Sequence, residues 1–219
     1  MTNGKAPASI GGTYLRVTKL GTSGAPKTGA NSAYGTSSFV SFQFSANMED
    51  GTEITKTGAN GTTCLSFKTP TTLKDFSVSI ETCFPDPILT EFLGGGTLLL
   101  SQSDKTTPIG WAAPAVGTDA TPNGVGIEVW SNAIVDGKPH PTLPYYQYVF
   151  PYCKTSISGD RTIENDAIAW EFEGTSVGNA GFGKGPAAPF WPFPTTTPFS
   201  YAQVAGKPEA EGYITVATG

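Results

Sequence analysis

A chain of 219 residues, 38% hydrophobic and 14% charged, is long enough to bury a sizeable core and too rich in aromatics for disorder. Its 27 glycines and 18 prolines demand frequent turns and exclude an architecture of long helices. The formal net charge of −5, with Arg16 and Arg161 as the only guanidinium groups, excludes the basic cluster by which nucleic-acid binders neutralise phosphates.

The first residues, MTNGKAPASI, contain no apolar signal-like stretch, and no run approaches the ~20 apolar residues of a membrane span. Residues 21–37 (GTSGAPKTGANSAYGTS) read as a long small-residue loop. In FVSFQFS, Val40, Phe42 and Phe44 alternate with Ser41, Gln43 and Ser45, the period of two of a half-buried strand. MEDGTEITKTGANGTTCLSFKT reads as two strand-like runs about a GANG turn, a hairpin near 47–62. KDFSVSIETC sets Phe76, Val78 and Ile80 on one face and Ser77, Ser79 and Glu81 on the other.

PDPILTEFLGGG predicts the one helix, at about residues 86–94. Asp86 suits the N-cap, Pro87 the first helical position, and the glycines from Gly94 stop it. Ile88, Leu89, Phe92 and Leu93 form its apolar stripe. NGVGIEVWS returns to alternation, Val125, Ile127 and Val129 against Glu128 and Trp130, and DAIAWEFEGT opposes Ile168, Trp170 and Phe172 to Ala169, Glu171 and Glu173. YYQYVFPY and GYITVATG are weaker strand signals. Prolines 186, 189, 192, 194 and 198 make residues 184–198 a second long irregular segment. The expectation is a single domain over 1–219, mainly β, an antiparallel β-sandwich or barrel with one short helix.

Gly178 to Lys184, GNAGFGK, has the spacing of a phosphate loop, but Gly185 replaces the Ser or Thr that would bind Mg²⁺ and the following prolines forbid the helix. A glycine-rich turn is the better reading. The one histidine, His140, lies between prolines with no nucleophile elbow in the chain, and Cys64, Cys83 and Cys153 are too scattered for zinc or a disulfide framework. Such cysteines fit folding in a reducing compartment. Glu81, Glu128, Glu171 and Glu173 share polar strand faces. They read as a glycosidase carboxylate pair, as a solvated sheet face, or as an acidic lining for an aqueous passage. Phe190, Trp191 and Phe193 form an aromatic cluster that either meets a partner or caps the fold. No catalysis, cofactor or metal is expected.

Taken in order, NMEDGTEITKTGANGTTCLSFKTP, DFSVSIETCFPDPILTEFLGGGTLL, NGVGIEVWSN, PYYQYVFPYC and AWEFEGTSVGNAGFGKGP resemble the major tail (tail tube) proteins of long non-contractile-tailed phages, particularly those of actinobacteria. The resemblance covers roughly residues 38–186. It implies a β-sandwich of the tail tube type with one flanking helix, six copies closing into a ring, and rings stacking into a tube whose inner wall is a continuous β-barrel. The implied partners are the chain itself and the tape measure, tail tip and tail terminator proteins. DNA would pass through the lumen without specific binding, and no membrane insertion is implied. The implied location is the virion tail, after synthesis and assembly in the host bacterial cytoplasm. Six copies at −5 each carry a formal −30, which suits a lumen that repels phosphates. On this reading Glu81, Glu128, Glu171 and Glu173 are the candidate lumen residues. Tyr34, Glu49, Asp50, Phe190, Trp191 and Phe193 are the candidate contacts between subunits or rings, with the 21–37 loop and the 47–62 hairpin as contact segments. The alternatives are a carbohydrate-binding β-sandwich module and another virion component, a capsid-decoration protein or a contractile-type tube.

Overall fold

A computed structural model describes residues 6–163, 168, 170–183, 185 and 196–217. The strands are β1 (Ala8–Lys19), β2 (Gly29–Thr36), β3 (Phe39–Glu49), β4 (Glu53–Thr57), β5 (Thr63–Lys68) and β6 (Thr72–Thr82). Helix α1 (Pro87–Gly94) follows, then β7 (Thr97–Leu100), β8 (Pro108–Ala112), β9 (Val125–Val135) and β10 (Lys138–Pro139). The chain ends in β11 (Tyr145–Ser158), β12 (Trp170–Ser176), β13 (Ser200–Val204) and β14 (Gly212–Val216). The protein is mainly β, as its alternating segments predict.

One antiparallel sheet runs β14-β2-β1-β9-β11-β12-β6-β3, with β10 beside β9 and β13 beside the first half of β11. It folds over on itself at β11. Residues 145–150 of β11 pair with β9, whereas Cys153 to Ser158 pair with β12. The ladder is irregular between Phe150 and Cys153, where Pro151, which has no N–H to donate, is tolerated. The two halves pack face to face. Leu15, Val17, Ile127, Val129 and Phe150 of one meet Val78, Ile80 and Phe172 of the other, and Phe42 lies 5.1 Å from Phe150 between ring centres.

The fold is not closed into a barrel. On the side away from β11, β2 leaves the β1 ladder and β3 joins β6. A cleft of about 310 Å³ remains between the start of β1 and β3, lined by Ser9, Gly12, Phe39, Val40, Phe42 and Tyr148. Helix α1 packs against β1, β2, β8 and β11, burying Leu89, Phe92 and Leu93. Its cap is as the sequence predicts: Asp86 Oδ1 accepts from the N–H groups of Ile88 (2.9 Å) and Leu89 (3.2 Å).

Residues 21–37 correct one expectation, because they are not a single loop. Only the first part is a turn, closed by a Leu20–Pro26 bridge, and Gly29–Thr36 is strand β2, pairing with both β1 and β14. Its composition, GANSAYGT, has little intrinsic β-propensity. Close packing explains the choice of small residues: a Cβ on Gly35 would sit 1.8 Å from the Tyr14 hydroxyl. Tertiary contacts override local preference here. Strands β1, β7 and β8 also went unannounced in the sequence. Of the Pro-rich segment expected at 184–198, residues 184 and 186–195 lie outside the described residues.

Three buried acids set an alkaline limit. Tyr14 donates to the Ala210 carbonyl, and burial pushes its hydroxyl from 10.0 up to about 12. Burial and the Asp86 carboxylate raise Tyr34, and burial lifts the Cys153 thiol from 9.0 to about 12. Each folded-state pKa lies above its unfolded value. The protonated groups therefore lend their full stability below about pH 9 and lose it as pH rises toward 12. Tryptophan fluorescence followed from pH 8 to 12 should show cooperative unfolding at the alkaline end. Tyr14→Phe should cost about 1 kcal/mol at neutral pH and make the alkaline loss shallower.

Candidate functional site

The second half of β11, with β12, β6 and β3, forms a four-stranded layer whose outer face is polar. Register fixes what meets on it. One row across the strands reads Ser158, Glu171, Glu81, Ser41, and the next reads Ser156, Glu173, Ser79, Gln43. A third holds Lys154, Thr175, Ser77 and Ser45. The face forms an open trough of about 590 Å³ lined by Gln43, Ser45, Ser77, Lys154, Ser156 and Glu173. Three of the four predicted glutamates are thus brought together. Glu171 and Glu173 are exposed and Glu81 is half-buried. Glu171 faces Glu81 directly, a like-charge cross-strand pair, and the Ser41 hydroxyl donates to Glu81 at 3.3 Å.

These carboxylates sit side by side on one sheet surface. A glycosidase holds its pair on opposite walls of a cleft, flanking the bond to be cut. Among the described residues no group of three or more His, Cys, Asp or Glu is placed to hold a metal ion. His140 serves its own turn: its Nδ1 accepts from the Leu143 N–H at 3.1 Å. Cys64, Cys83 and Cys153 are all free thiols.

Glu128 corrects the sequence reading. It is 0% exposed, because the β1-β9-β11 layer is covered on both faces. Its Oε2 accepts from Arg16 Nε at 2.7 Å, with Nη2 at the same distance, and its Oε1 accepts from Gln147 Nε2 at 2.9 Å. Burial pushes the Glu128 carboxyl above the usual range, and the Arg16 guanidinium and Gln147 amide pull it back. Arg16 also lies 5.3 Å from the Trp130 ring, which Tyr14 meets edge-on. Glu128 is buried on the face of β9 that also carries Trp130, a member of a second core with Tyr14, Leu20, Val149, Phe182 and Val204, and it presents no charge to water.

That second core explains the GNAGFGK stretch. Residues Ala180–Phe182 form a single 3₁₀ turn capped by Asn179, whose side-chain amide donates to Gly24 O (2.8 Å) and Pro151 O (3.0 Å). The turn drives Phe182 onto β9, where a Cβ on Gly126 would lie 2.4 Å from the ring. Lys184 lies outside the described residues.

The predicted contact residues divide. Tyr34 is a correction: it is buried, and its hydroxyl donates to Asp86, tying β2 to the helix cap. Glu49 and Asp50 are exposed, at the base of an arm formed by β4 and β5. Phe190, Trp191 and Phe193 lie outside the described residues.

The polar four-stranded layer has two strand edges without a strand partner among the described residues. One is the outer edge of β3. The other is the β9 side of β11 beyond Cys153, since β9 begins at Val125. The Thr121 hydroxyl covers part of the latter, donating to Thr155 O at 3.0 Å, and Lys154 pairs with Asp119 at 2.5 Å beside it. No helix is long and apolar enough to cross a membrane among the described residues. Comparison with protein-family models and with curated proteins gives no match.

The Arg16–Glu128 pair yields a stability test by urea denaturation. Glu128→Leu alone should cost about 3–5 kcal/mol, because it strands a buried guanidinium. Adding Arg16→Met should recover much of that loss, so the two effects are far from additive.

Proposed function

We propose that this chain is a virion structural protein, the subunit of a phage tail tube, with the four-stranded polar layer as the wall of its lumen. The observation that carries the reading is the combination of an acidic, Ser/Thr-rich sheet face with a free strand edge on each side of it. Strands β11, β12, β6 and β3 alternate in direction, so β3 of one copy runs antiparallel to β11 of the next. An even number of strands per copy therefore lets a ring close with unbroken antiparallel pairing, and closure removes both exposed edges of the polar layer. Six copies would give a barrel of about 24 strands, roughly 35–50 Å across its backbone at ordinary spacing and tilt.

The chemistry of the face suits passage rather than capture. Glu81, Glu171 and Glu173 repel phosphates, and the serines and threonines offer a hydrated surface with little cationic charge to hold a backbone. The role is structural rather than catalytic. The resemblance over residues 38–186 supplies the hexamer, the stacking and the tail partners, and the exposed β4–β5 arm is in keeping with contacts between rings.

A second reading has one observation in its favour. Tyr148 and Tyr201 stack with ring centres 6.0 Å apart, and Tyr201 is exposed, as an aromatic platform for a sugar would be.

Negative-stain electron microscopy of concentrated protein separates the two. Hollow tubes or six-fold rings are expected, and dispersed monomers that bind a glycan through Tyr201 would favour the sugar-binding module. Within assembled tubes, Glu171→Lys/Glu173→Lys should leave the architecture intact. It should create duplex-DNA retention that falls steeply with added salt, and retention unchanged from wild type would remove these residues from the lumen.

A further inference from the structure

An Asn-Gly step is prone to deamidation, because glycine leaves its own backbone nitrogen with no Cβ in the way of the preceding side chain. The chain has three such steps: Asn3–Gly4, which lies outside the described residues, Asn60–Gly61 and Asn123–Gly124. Sequence alone does not separate the last two. Structure does.

Asn60 and Gly61 sit at the tip of the β4–β5 arm, and both are exposed. Asn60 Oδ1 accepts from the Thr62 N–H at 3.1 Å and from the Thr62 hydroxyl at 2.6 Å. Two donors thus converge on the oxygen that gains negative charge when Asn60 Cγ is attacked, the arrangement of an oxyanion hole. The attacking nitrogen, that of Gly61, donates to Gly58 O at 2.9 Å. Little packing defends that bond. The arm's strands join no sheet but their own, and Ile54 (49%), Leu65 (49%) and Phe67 (55%) are uncovered. An isolated two-stranded hairpin is marginal in water, so its tip opens readily.

Asn123–Gly124 is held differently. The Gly124 N–H donates to Thr121 O at 2.9 Å, a bond of the same kind, but Gly124 is buried and leads directly into β9. A Cβ on it would lie 2.8 Å from the Tyr152 ring and 3.0 Å from Cys153 O. Carrying its nitrogen onto Asn123 Cγ requires the start of β9 to leave the sheet.

We propose that Asn60 is a site of spontaneous covalent modification, with Thr62 as the group that assists it. The Gly61 nitrogen gives its proton to hydroxide and forms a bond to Asn60 Cγ. The Cγ–Nδ2 bond then breaks, and Nδ2 leaves as ammonia with a proton from water. Water opens the resulting five-membered succinimide at either carbonyl, to aspartate or to isoaspartate. The net change is one amide and one water to a carboxylate and an ammonium ion. Both products make the formal charge of −5 one unit more negative. Aspartate keeps an acceptor beside Thr62. Isoaspartate routes the backbone through the former side chain, lengthens it by a methylene and takes that acceptor out of the turn. The chemistry needs only the arm of a single copy, and it proceeds whether or not rings form.

Full-length protein held in mildly alkaline buffer and sampled over time, with peptide mapping by tandem mass spectrometry, tests both parts. In folded protein Asn60 should convert at least about tenfold faster than Asn123, which waits on a costlier opening. In urea the two should convert at similar rates. Thr62→Val, at an exposed position remote from the core, should slow conversion of Asn60 about threefold or more and leave Asn123 unchanged. An Asn60 that stays intact, or equal rates at the two sites in folded protein, would overturn the proposal. Conversion of Asn60 undiminished by Thr62→Val would reject the assistance and keep the site.

Discussion

A single inserted residue in β11 governs the arrangement of the whole molecule. Before it, Tyr148 and Phe150 point into the space between the layers. With an uninterrupted period of two, Tyr152 and Lys154 would follow them inward. The irregularity between Phe150 and Cys153 shifts the phase by one, so that Cys153, Thr155 and Ile157 face the core. Tyr152 is freed to pack on the second cluster, beside Tyr14, Trp130 and Phe182. Lys154, Ser156 and Ser158 are delivered to the outer face. The same irregularity is where the strand passes from one layer to the other. The fold-over, the buried second core and the polar layer are therefore consequences of one local event, and Pro151 marks its place.

Strand identity was legible in the sequence where one face of a strand meets water. KDFSVSIETC and WEFEGT alternate cleanly because β6 and β12 have a dry side and a wet side, and the pattern correctly placed Glu81, Glu171 and Glu173 outward. The same alternation misled at β9. There both faces are covered, one by the main core and the other by Phe182, Val149 and Val204, so Glu128 and Trp130 are as buried as Ile127. A lone arginine in a chain with few guanidinium groups, Arg16, was the available sign of a buried partner, but its position opposite Glu128 depends on a register that no local pattern encodes. In FVSFQFS the alternation held only in part. An irregular step in the β3–β6 ladder near Phe39 leaves Val40 exposed while Phe39 and Phe42 both pack on the core. Strand β2 was invisible for another reason: it was selected for smallness under Tyr14, which looks like loop composition.

The helix was legible almost to the residue because its signals are local. An N-cap, a proline at the first position and a glycine stop act within one turn of chain and need no knowledge of the fold. What the sequence did not reveal is that Asp86 serves two ends at once. One carboxylate oxygen holds the helix N–H groups and the other receives the Tyr34 hydroxyl, so the cap also fastens β2 to the helix. That second use removes Tyr34 from any outer surface.

In the proposed ring the two free edges of the polar layer would meet. A free β3 edge, a free half of β11 and an apolar arm would each invite unselective association. At the β11 edge the cover is made of side chains: the Thr121 hydroxyl occupies the Thr155 carbonyl and Asp119 holds Lys154 at the surface. Exposed ion pairs of this kind are worth little, and one hydroxyl satisfies only one acceptor. A neighbouring β3 would exchange these contacts for a run of backbone hydrogen bonds, a gain that accumulates with every residue paired. In the proposed ring, then, the monomer's cover is strong enough to discourage a glancing encounter and too weak to resist a correctly registered strand. Order of assembly would follow from that difference in magnitude, without any separate switch.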